Sequence, residues 1–543
     1  MLRKHQAEFS DIITRIISGS PIRRAILKAT PGGGKSLIPI EACRLIAAGM
    51  ADALCWVVPR QALQDQGERG FLDPKFRSML GHRFTIRAAT NDANPCRGTH
   101  GFITTYQALG VDTGKTVLND FGRRRYILIL DEFHHCEADG VWTKAIAPLV
   151  ESAKFAVLMT GTLERGDGKQ IAFIDYATNR AGLTPDLSTG SDTAVIEYTR
   201  ADALAEQAIL PIHFNMHDGA VEWMDNSGNR IKRDLSKTNR KDASAAIYTA
   251  LATDYSKELL SSGISHWQNT MALTDSKCLI VTADISHARE TVKTLRGHGI
   301  ECEIATSHES AEAKKAIHKF KYTRCDCLVT IAMAYEGLDV PAISHLICLT
   351  RIRSTPWIEQ MVARAVRVDP NAGPYENQIA HIFCPDDPLF LEIVKKIERE
   401  QAPFIKPKLE HEPRAKQLGL FGGDEFGPMA PGGITPIASS LTGSRGKFLG
   451  PVPSIAPVIP IQTEREKEEA LRKQIDRHVK AYARNNRYKP LKINSELKDY
   501  FGKAREEMTR PELERLQAYL NQYYRLNSFR GHSAPVPTKA VRI

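Results

Sequence analysis

The chain contains 543 residues, of which 42% are hydrophobic and 25% are charged, and its mean hydropathy is −0.30. No apolar run reaches the about 18 residues that a membrane-spanning helix needs, and the N-terminus lacks the apolar core of a secretory signal. The ten cysteines form neither a disulfide framework nor a paired zinc-binding spacing, so we expect a cytoplasmic protein with no membrane partner. The net charge of +10 favours a polyanionic partner such as nucleic acid.

Short apolar runs alternate with helix-length amphipathic segments in two parts of the chain. In the first 200 residues the runs lie at 25–28, 54–58, 101–105, 127–130 and 156–159. Between residues 270 and 385 they lie at 278–282, 301–305, 327–331, 345–349 and 380–383. Runs of this length between helical segments are typical of buried parallel strands. The sequence therefore predicts an α/β fold with two tandem doubly wound parallel-sheet domains.

The remaining segments differ from these two blocks in composition. Residues 201–268 hold a stretch rich in Pro, His, Asp and Gly and then a basic patch at 230–241, which we interpret as a connector or accessory insertion. Residues 411–462 are rich in Gly and Pro, which indicates a flexible linker. Helical periodicity then returns. We predict domains at 1–200 and 269–400, the insertion at 201–268, a linker at 401–462 and a small helical C-terminal module at 463–543.

A glycine-rich segment follows the first predicted strand and precedes an amphipathic stretch. Its pattern is that of a P-loop with alanine in place of the first glycine, in which backbone N–H groups at a helix start cradle phosphates. In that pattern Lys35 reaches the β- and γ-phosphates, and Ser36 is a ligand of Mg²⁺. A glycine-rich turn that binds nothing is the alternative. The predicted phosphate-binding residues are Ala29, Thr30, Pro31, Gly32, Gly33, Gly34, Lys35 and Ser36.

An acidic pair, Asp131 and Glu132, stands at the end of the predicted strand 127–130 and opens the sequence Asp-Glu-Phe-His-His. A P-loop site needs such a pair at a strand's carboxyl end, with Asp131 holding Mg²⁺ and Glu132 polarising the attacking water. Two solvated charges at the start of a loop are the alternative. The two histidines that follow have no further ligands at zinc spacing, so we do not expect a zinc site there.

The P-loop and this Asp-Glu-x-His box together resemble the superfamily 2 helicases and translocases. Further segments resemble that family's motifs in the family's order, over residues 2–370. They are the adenine-reading glutamine element at 2–6 and the motifs at 57–63, 103–109, 160–162, 279–283, 330–341 and 360–367. The resemblance implies two RecA-like domains that bind ATP and Mg²⁺ in the cleft between them.

The resemblance also implies roles for residues of both blocks. Gln6 would contact adenine, Gly337 and Asp339 would line the nucleotide cleft, and Gln360 would contact the γ-phosphate. Arginines supplied across a cleft stabilise the charge that develops on the transferred phosphoryl group. Arg364 and Arg367 are three residues apart, so we expect them on one face of a helix, where an ordinary basic surface is the alternative. The family usually has glycine where this chain has Ala363.

The family's contacts with the nucleic-acid backbone match four positions here, Arg60, Thr104, Thr105 and Thr330. Hydroxyl and backbone N–H groups at helix starts contact phosphates without reading sequence. A helix cap or a strand hydroxyl with an internal partner is the alternative at each position.

The Asp-Glu-x-His-His box, the Arg-x-His-Gln opening and the Thr-Tyr-Gln-x-Leu element resemble DNA-repair, recombination and restriction-type members, and members carried by phages or mobile elements, more than RNA unwinders. The resemblance therefore implies an ATP-dependent DNA helicase or translocase. An RNA helicase of the same architecture is the nearest alternative, and a nucleotide-switched DNA clamp or recruiting subunit is another. The C-terminal module interleaves basic residues with tyrosines, which suits strand binding, but its acidic stretches make it equally suited to docking a protein partner.

Overall fold

The computed structural model describes residues 2–89, 91–112, 115–163, 169–179, 182–187, 190–306, 311–331, 338–401, 434–450, 464–486 and 488–524. Within these ranges, no helix has both the length and the apolar character needed to cross a membrane. The described chain forms two sheet domains and a smaller helical module.

The first domain consists of helices and strands that alternate along residues 4–205. They are α1 Lys4–Ile17, β1 Arg24–Ala29, α2 Ile38–Ala42, α3 Arg44–Ala47, β2 Ala53–Val58, α4 Gln61–Leu72, α5 Pro74–Leu80, β3 Arg87–Ala88, β4 Gly101–Thr105, α6 Tyr106–Gly110, α7 Thr116–Phe121, β5 Tyr126–Asp131, α8 Val141–Ser152, β6 Phe155–Thr160, β7 Asp175–Asn179, β8 Gly182–Asp186, β9 Thr193–Tyr198 and α9 Arg200–Ala205.

Seven of these strands form one parallel sheet, in the order β3-β4-β2-β5-β6-β1-β9. Its central strands are buried along almost their whole length, as expected for a sheet with helices on both faces. The strands β5, β6 and β1 are neighbours. Their carboxyl ends carry the acidic pair, the Thr160–Thr162 segment and the P-loop, so three segments that are distant in sequence meet at one edge of the sheet.

The second domain is built around a second sheet that runs from residue 212 to residue 449. Its elements are β10 Ile212–Met224, β11 Arg230–Asp234, α10 Arg240–Ala252, α11 Asp254–Thr274, β12 Lys277–Thr282, α12 Ile285–Gly297, β13 Cys302–Ala305, α13 Ala311–Tyr322, β14 Cys327–Ile331, β15 Ile343–Leu349, α14 Thr355–Val362, β16 Ala380–Pro385, α15 Pro388–Gln401 and β17 Thr435–Leu449. Strands β10-β16-β15-β12-β14-β13 are parallel, while β11 and β17 run antiparallel to β10. Two tandem parallel-sheet domains were predicted, and this fold class is confirmed.

The segment 201–268 differs from the predicted insertion, because β10 is an integral strand of the second sheet. Ile212, Phe214 and Met216 are buried, and they alternate with His213 and Asn215, which are partly exposed. This alternation is typical of a strand. A search for continuous apolar runs overlooks it, since every second residue is polar.

The segment 434–450 also differs from the prediction, because it forms strand β17 instead of a flexible linker. β17 pairs with β10 along the full length of that strand, from Ile212↔Leu449 to Met224↔Thr435. Its many small polar residues resemble a linker in composition. It is ordered because β10 would otherwise expose a row of unpaired backbone groups on this side. Residues 402–433 and 451–462 of the predicted linker lie outside the described residues.

The helical C-terminal module consists of α16 Glu464–Asn485, α17 Pro490–Phe501 and α18 Arg510–Tyr523, as predicted. It has its own small core, which includes Ile475, Val479 and Leu516. The module lies against the second domain, where a Cβ atom on Gly299 would be 2.4 Å from that of Ala481. Residues 525–543 lie outside the described residues.

Candidate active site

The P-loop follows β1 and leads through a 3₁₀ turn at Lys35–Leu37 into α2. Gly32 and Gly34 have φ angles of 83° and 92°, in the left-handed region that favours glycine. A Cβ atom on Gly33 would lie 2.8 Å from the carbonyl oxygen of Thr30. The conformation of this loop therefore requires the three glycines that the sequence supplies.

The acidic pair stands at the carboxyl end of β5, next to the P-loop. Glu132 has a φ of 48°, a left-handed conformation that costs a non-glycine residue on the order of 1 kcal/mol. The ammonium group of Lys35 forms an ion pair with Glu132 Oε1. This pair is largely buried, since the two side chains are 13% and 20% exposed. The two candidate catalytic residues are thus in direct contact.

The second carboxylate oxygen of Glu132 connects the acidic pair to the end of β6. It accepts a hydrogen bond from the backbone N–H of Gly161 at 3.1 Å and lies 3.3 Å from His134 Nδ1. The same imidazole nitrogen is 2.8 Å from the buried hydroxyl of Thr160. Burial opposes ionisation of Glu132, but Lys35 and His134 hold its pKa well below the usual range. Glu132 is therefore a carboxylate near neutral pH, as a general base must be.

Asp131 is the candidate magnesium ligand from β5. Burial raises its pKa to about 7, and the neighbouring Glu132 carboxylate adds to the rise while Lys35 opposes it. A divalent cation would favour the ionised form of such a carboxylate. Ser36, at the start of the helix and exposed, supplies a hydroxyl oxygen of the kind that Mg²⁺ accepts. The donor types of Asp131 and Ser36 therefore fit a magnesium ion.

The N-terminal element contacts the P-loop backbone. The side-chain amide of Gln6 donates to the Gly34 carbonyl oxygen at 3.0 Å, and the guanidinium of Arg3 donates to that of Gly33 at 2.6 Å. Gln6 Oε1 in turn accepts from the backbone N–H of Arg3 at 3.0 Å. Gln6, predicted to read adenine, thus holds the P-loop in this structure. Sequence reasoning missed Arg3, although this residue stands three positions before Gln6 in the same element.

The two candidate arginines of the second domain lie beyond the helix on which we expected them. Helix α14 ends at Val362, and turn hydrogen bonds from Arg364 N to Met361 O and from Ala365 N to Val362 O follow it. The expectation of a shared helical face is therefore wrong. After the turn, the chain runs beside the segment that joins α9 of the first domain to β10 of the second. There the carbonyl oxygen of Val366 accepts a hydrogen bond from Leu210 N at 2.7 Å. Gln360 itself lies in α14 and is partly buried.

The segment that follows α14 nevertheless reaches the nucleotide motifs. A Cβ atom on Gly32 of the P-loop would lie 3.8 Å from Val366 Cγ2, so Val366 packs beside that loop. Arg367 forms an ion pair with Asp339, which also accepts from Gln66 Nε2 of α4 at 3.4 Å. Burial lowers the pKa of Arg367 to about 10, which leaves its charge intact at neutral pH. Asp339 thus touches residues of both domains.

Arg364 and Gly337 are the two remaining predicted residues of the nucleotide cleft in the second domain. Arg364 donates to the Leu338 carbonyl oxygen at 3.3 Å. Gly337 lies outside the described residues. The contact between Gln66 and Asp339 was not foreseen, because nothing in the sequence around Gln66 distinguishes it from an ordinary polar residue on a helix.

A cavity of about 710 Å³ lies between the two domains beside the P-loop. Thr30, Pro31 and Gly161 line it from the first domain, and Glu359 and Ala363 line it from α14. Its volume is in the range of about 300–1,000 Å³ that is typical of small-molecule sites. The cavity therefore offers space for part of a nucleotide next to the phosphate-binding loop.

Comparison with known proteins assigns both domains. Residues 1–165 match the family model described as "Type III restriction enzyme, res subunit", and residues 262–369 match the "Helicase conserved C-terminal domain". Together the two matches span half of the chain, and the motifs at the P-loop and the acidic pair fall within the first. The chain belongs to superfamily 2 of the helicases.

The relatives of this superfamily 2 helicase include two uncharacterized mycobacterial proteins. One, from Mycobacterium leprae, is 25% identical, and the match covers 70% of this chain and 62% of the relative. The other, from Mycobacterium tuberculosis, is also 25% identical, and the match covers 70% of this chain and 61% of the relative. The chain thus spans about three-fifths of the length of these relatives. Among solved structures, the Mycobacterium smegmatis helicase Lhr bound to ssDNA and AMP-PNP is 14% identical, with a TM-score of 0.43 over 72% of this chain and 48% of that chain.

The predicted nucleic-acid contacts of the first domain lie at the carboxyl ends of β2 and β4. Thr104 is fully buried within β4. Thr105 accepts from Ala108 N at 3.1 Å and caps α6. The Thr105 side chain is thus the helix cap of the structural alternative, whereas the Thr104 hydroxyl is buried with no hydrogen-bond partner among the described residues and is not exposed for contact with a phosphate. Arg60 precedes α4 and is partly exposed, so of these three residues its side chain is the best placed to reach a backbone phosphate.

Thr330, the candidate contact of the second domain, is fully buried near the end of β14. Its hydroxyl donates to the Ile331 carbonyl oxygen at 3.1 Å, and its own carbonyl accepts from the Thr282 hydroxyl at 3.0 Å. The Thr330 side chain therefore has an internal partner, as the structural alternative for this position requires.

Proposed function

We propose that this helicase uses ATP and Mg²⁺ to move along DNA, as a helicase or translocase. The observation that carries this proposal is the ion pair between Lys35 of the P-loop and Glu132 of the acidic pair, at the edge where β5, β6 and β1 end. It brings the residue that would bind the terminal phosphates against the residue that would activate the attacking water.

The chemistry of the site follows from the protonation states of its side chains. Bound Mg²⁺ would neutralise phosphate charge, held by Asp131 and Ser36. Lys35 would transfer its ion pair from Glu132 to the phosphates, which frees the Glu132 carboxylate to accept a proton from water. Lys35 and His134 keep Glu132 ionised before the nucleotide binds. After Lys35 moves, His134 and the Gly161 N–H would still contact Oε2, and the Gly161 hydrogen bond of 3.1 Å would fix the orientation of the carboxylate.

The link to movement runs through the second domain. Arg367 and Arg364 follow α14 in a segment that packs beside the P-loop, and we propose that they stabilise the charge on the γ-phosphoryl group. Asp339 contacts Gln66 of the first domain and Arg367 of the second. A nucleotide that draws Arg367 away from Asp339 would weaken this connection and change the relative position of the domains.

The net charge of +10 favours a nucleic acid that is bound through its phosphates without reading of sequence. A second feature favours DNA as that nucleic acid. The family model that matches residues 1–165 describes a subunit of restriction enzymes. We place the protein in the cytoplasm, a proposal that the ten cysteines support, since every one of them is buried and unbridged.

The test is the rate of ATP hydrolysis without nucleic acid and with single-stranded DNA, duplex DNA, branched DNA or a matched RNA. We expect DNA to stimulate the wild-type rate strongly and RNA to stimulate it little. Preference for RNA would replace the proposal with an RNA helicase. A basal rate that no nucleic acid changes would indicate a nucleotide switch that needs a protein partner. In that case we propose the C-terminal module as the docking site for the partner.

A further inference from the structure

A group of histidines lies in the second domain, on three neighbouring strands of the second sheet and on helix α11. His213 of β10, His381 of β16 and His345 of β15 are aligned by the strand register, with His213↔His381 and His345↔His381 paired. Because paired residues of parallel strands point to the same face of a sheet, the three rings lie side by side. His266 of α11 covers them from the helix layer.

The rings approach one another closely. His266 Nδ1 and His345 Nε2 are 2.9 Å apart. The ring centroid of His381 is 4.6 Å from that of His266 and 4.8 Å from that of His345. One ring nitrogen from each of these three residues lies within 4.8 Å of the others, a group unmatched elsewhere among the described residues. His213 is farther away, with its ring centroid 5.7 Å from that of His381.

Two features of the surrounding chain hold this arrangement. A Cβ atom on Gly263 would lie 2.7 Å from Ile347 Cδ1, so the glycine lets α11 approach the sheet and brings His266, one turn later, over the rings. The hydroxyl of Ser344 is 2.8 Å from His345 Nδ1. If that nitrogen carries the proton, Nε2 presents its lone pair to His266, which is how outer hydrogen bonds orient metal-bound imidazoles.

The cluster is buried and contains an imidazole nitrogen without an ordinary hydrogen-bond partner. His345 is fully buried, and His381 Nδ1 is buried with no hydrogen-bond partner among the described residues. Burial and the neighbouring rings lower the pKa of His345 to about 2 and that of His381 to about 3. The imidazoles are therefore neutral at physiological pH, the form that binds metal ions.

We propose that His266, His345 and His381 bind one divalent transition-metal ion, with Zn²⁺ as the reference ion. Three imidazole nitrogens are a ligand set that Zn²⁺ accepts with one further position open, which water or His213 would fill. The ion would join α11 to β15 and β16. His345 and His381 stand near the amino ends of their strands, whereas Asp131 ends a strand of the other sheet, so this site is separate from the proposed magnesium site.

The test is titration of the metal-free full-length protein with Co²⁺, in excess Mg²⁺ and without nucleotide. We expect one equivalent of Co²⁺ to give a visible absorption band without a thiolate charge-transfer band, since every cysteine lies outside the ligand set. Zn²⁺ should abolish the band and raise the melting temperature. His266→Asn and His381→Asn should each lose the band and the thermal shift, while His287→Asn, at a partly buried histidine of α12, should keep both.

Circular dichroism and nucleotide binding establish that each variant is folded. A folded wild-type protein that takes up neither Co²⁺ nor Zn²⁺ would overturn the proposal, and so would equal Co²⁺ binding by the His266 and His381 variants. Loss of the band in Asp131→Asn with retention in the histidine variants would assign the metal to the nucleotide site instead. None of these readouts depends on ATP hydrolysis.

Discussion

The change Glu132→Gln tests the assignment of the general base while preserving the size of the side chain. In the wild type, one carboxylate oxygen of Glu132 forms an ion pair with the Lys35 ammonium, and the other accepts a hydrogen bond from the Gly161 N–H. The amide has only one acceptor oxygen, so its NH₂ group must face one of these donors. A buried hydrogen bond to a charged group contributes about 1.5–3 kcal/mol, part of which Lys35 recovers by turning to Asp131.

The effect on catalysis is expected to exceed this loss of stability. General-base assistance contributes about 10²–10⁴ in rate, equivalent to roughly 3–5 kcal/mol of activation free energy. Phosphate binding by Lys35 and the P-loop does not require the Glu132 charge. We therefore expect Glu132→Gln to bind ATP with near wild-type affinity and to hydrolyse it about 10²–10⁴ times more slowly.

Single-turnover hydrolysis at saturating ATP, together with equilibrium binding of a fluorescent nucleotide, separates these two effects. Glu137→Gln is the matched control, because Glu137 carries the same side chain five residues later and pairs with Lys169. The control should hydrolyse ATP at the wild-type rate. If Glu132→Gln retained wild-type hydrolysis, the base would be another residue, and the reasoning from the Lys35 ion pair would be refuted.

Three further predictions concern the same site. Lys35→Ala should lose most ATP binding or turnover, whereas the exposed Lys144→Ala should change neither; equal behaviour of the two variants would contradict the P-loop assignment. Arg367→Ala should reduce DNA-stimulated turnover by about 10³-fold with little change in ATP affinity, and an unchanged turnover would remove this arginine from the mechanism. The pKa of Asp131 is raised from 3.8 to about 7 in the folded protein. Between these two values the folded protein holds a proton that the unfolded chain releases, so the free energy of unfolding without nucleotide should fall as the pH rises from 4 to 7. The affinity for Mg²⁺–nucleotide should rise over the upper part of this range, since the metal needs the ionised carboxylate. Asp131→Asn should remove the pH dependence of both the unfolding free energy and this affinity. Identical pH profiles in the wild type and the variant would contradict the raised pKa of Asp131.

The sequence was sufficient to predict which segments meet at the candidate active site, because its motifs end strands that the sheet order makes neighbours. The glycines of the P-loop and the acidic pair are local patterns, and parallel sheets bring such strand ends together. Lys35, Asp131 and Glu132 therefore lie where the spacing of their motifs indicated. The left-handed conformation of Glu132 has no comparable local signal.

The sequence was insufficient wherever a segment takes its structure from a distant partner. Strand β17 contains many small polar residues, and only the long free edge of β10 makes it a strand. The hydroxyls of Thr105 and Thr330 matched the motif pattern, but one caps a helix and the other has a partner inside the sheet. The position of Arg367 depends on where α14 ends, which a spacing of three residues does not determine.

Displacement of a third strand from triplex DNA by the purified full-length protein tests the coupling of hydrolysis to movement most directly. The account predicts that the wild-type protein displaces the strand in the presence of ATP and Mg²⁺, and that Glu132→Gln binds the same DNA but displaces none. Displacement at equal rates by the wild type and by Glu132→Gln would contradict the account. So would a wild-type protein that hydrolyses ATP on DNA but never displaces the strand, because the site would then switch binding without moving the protein.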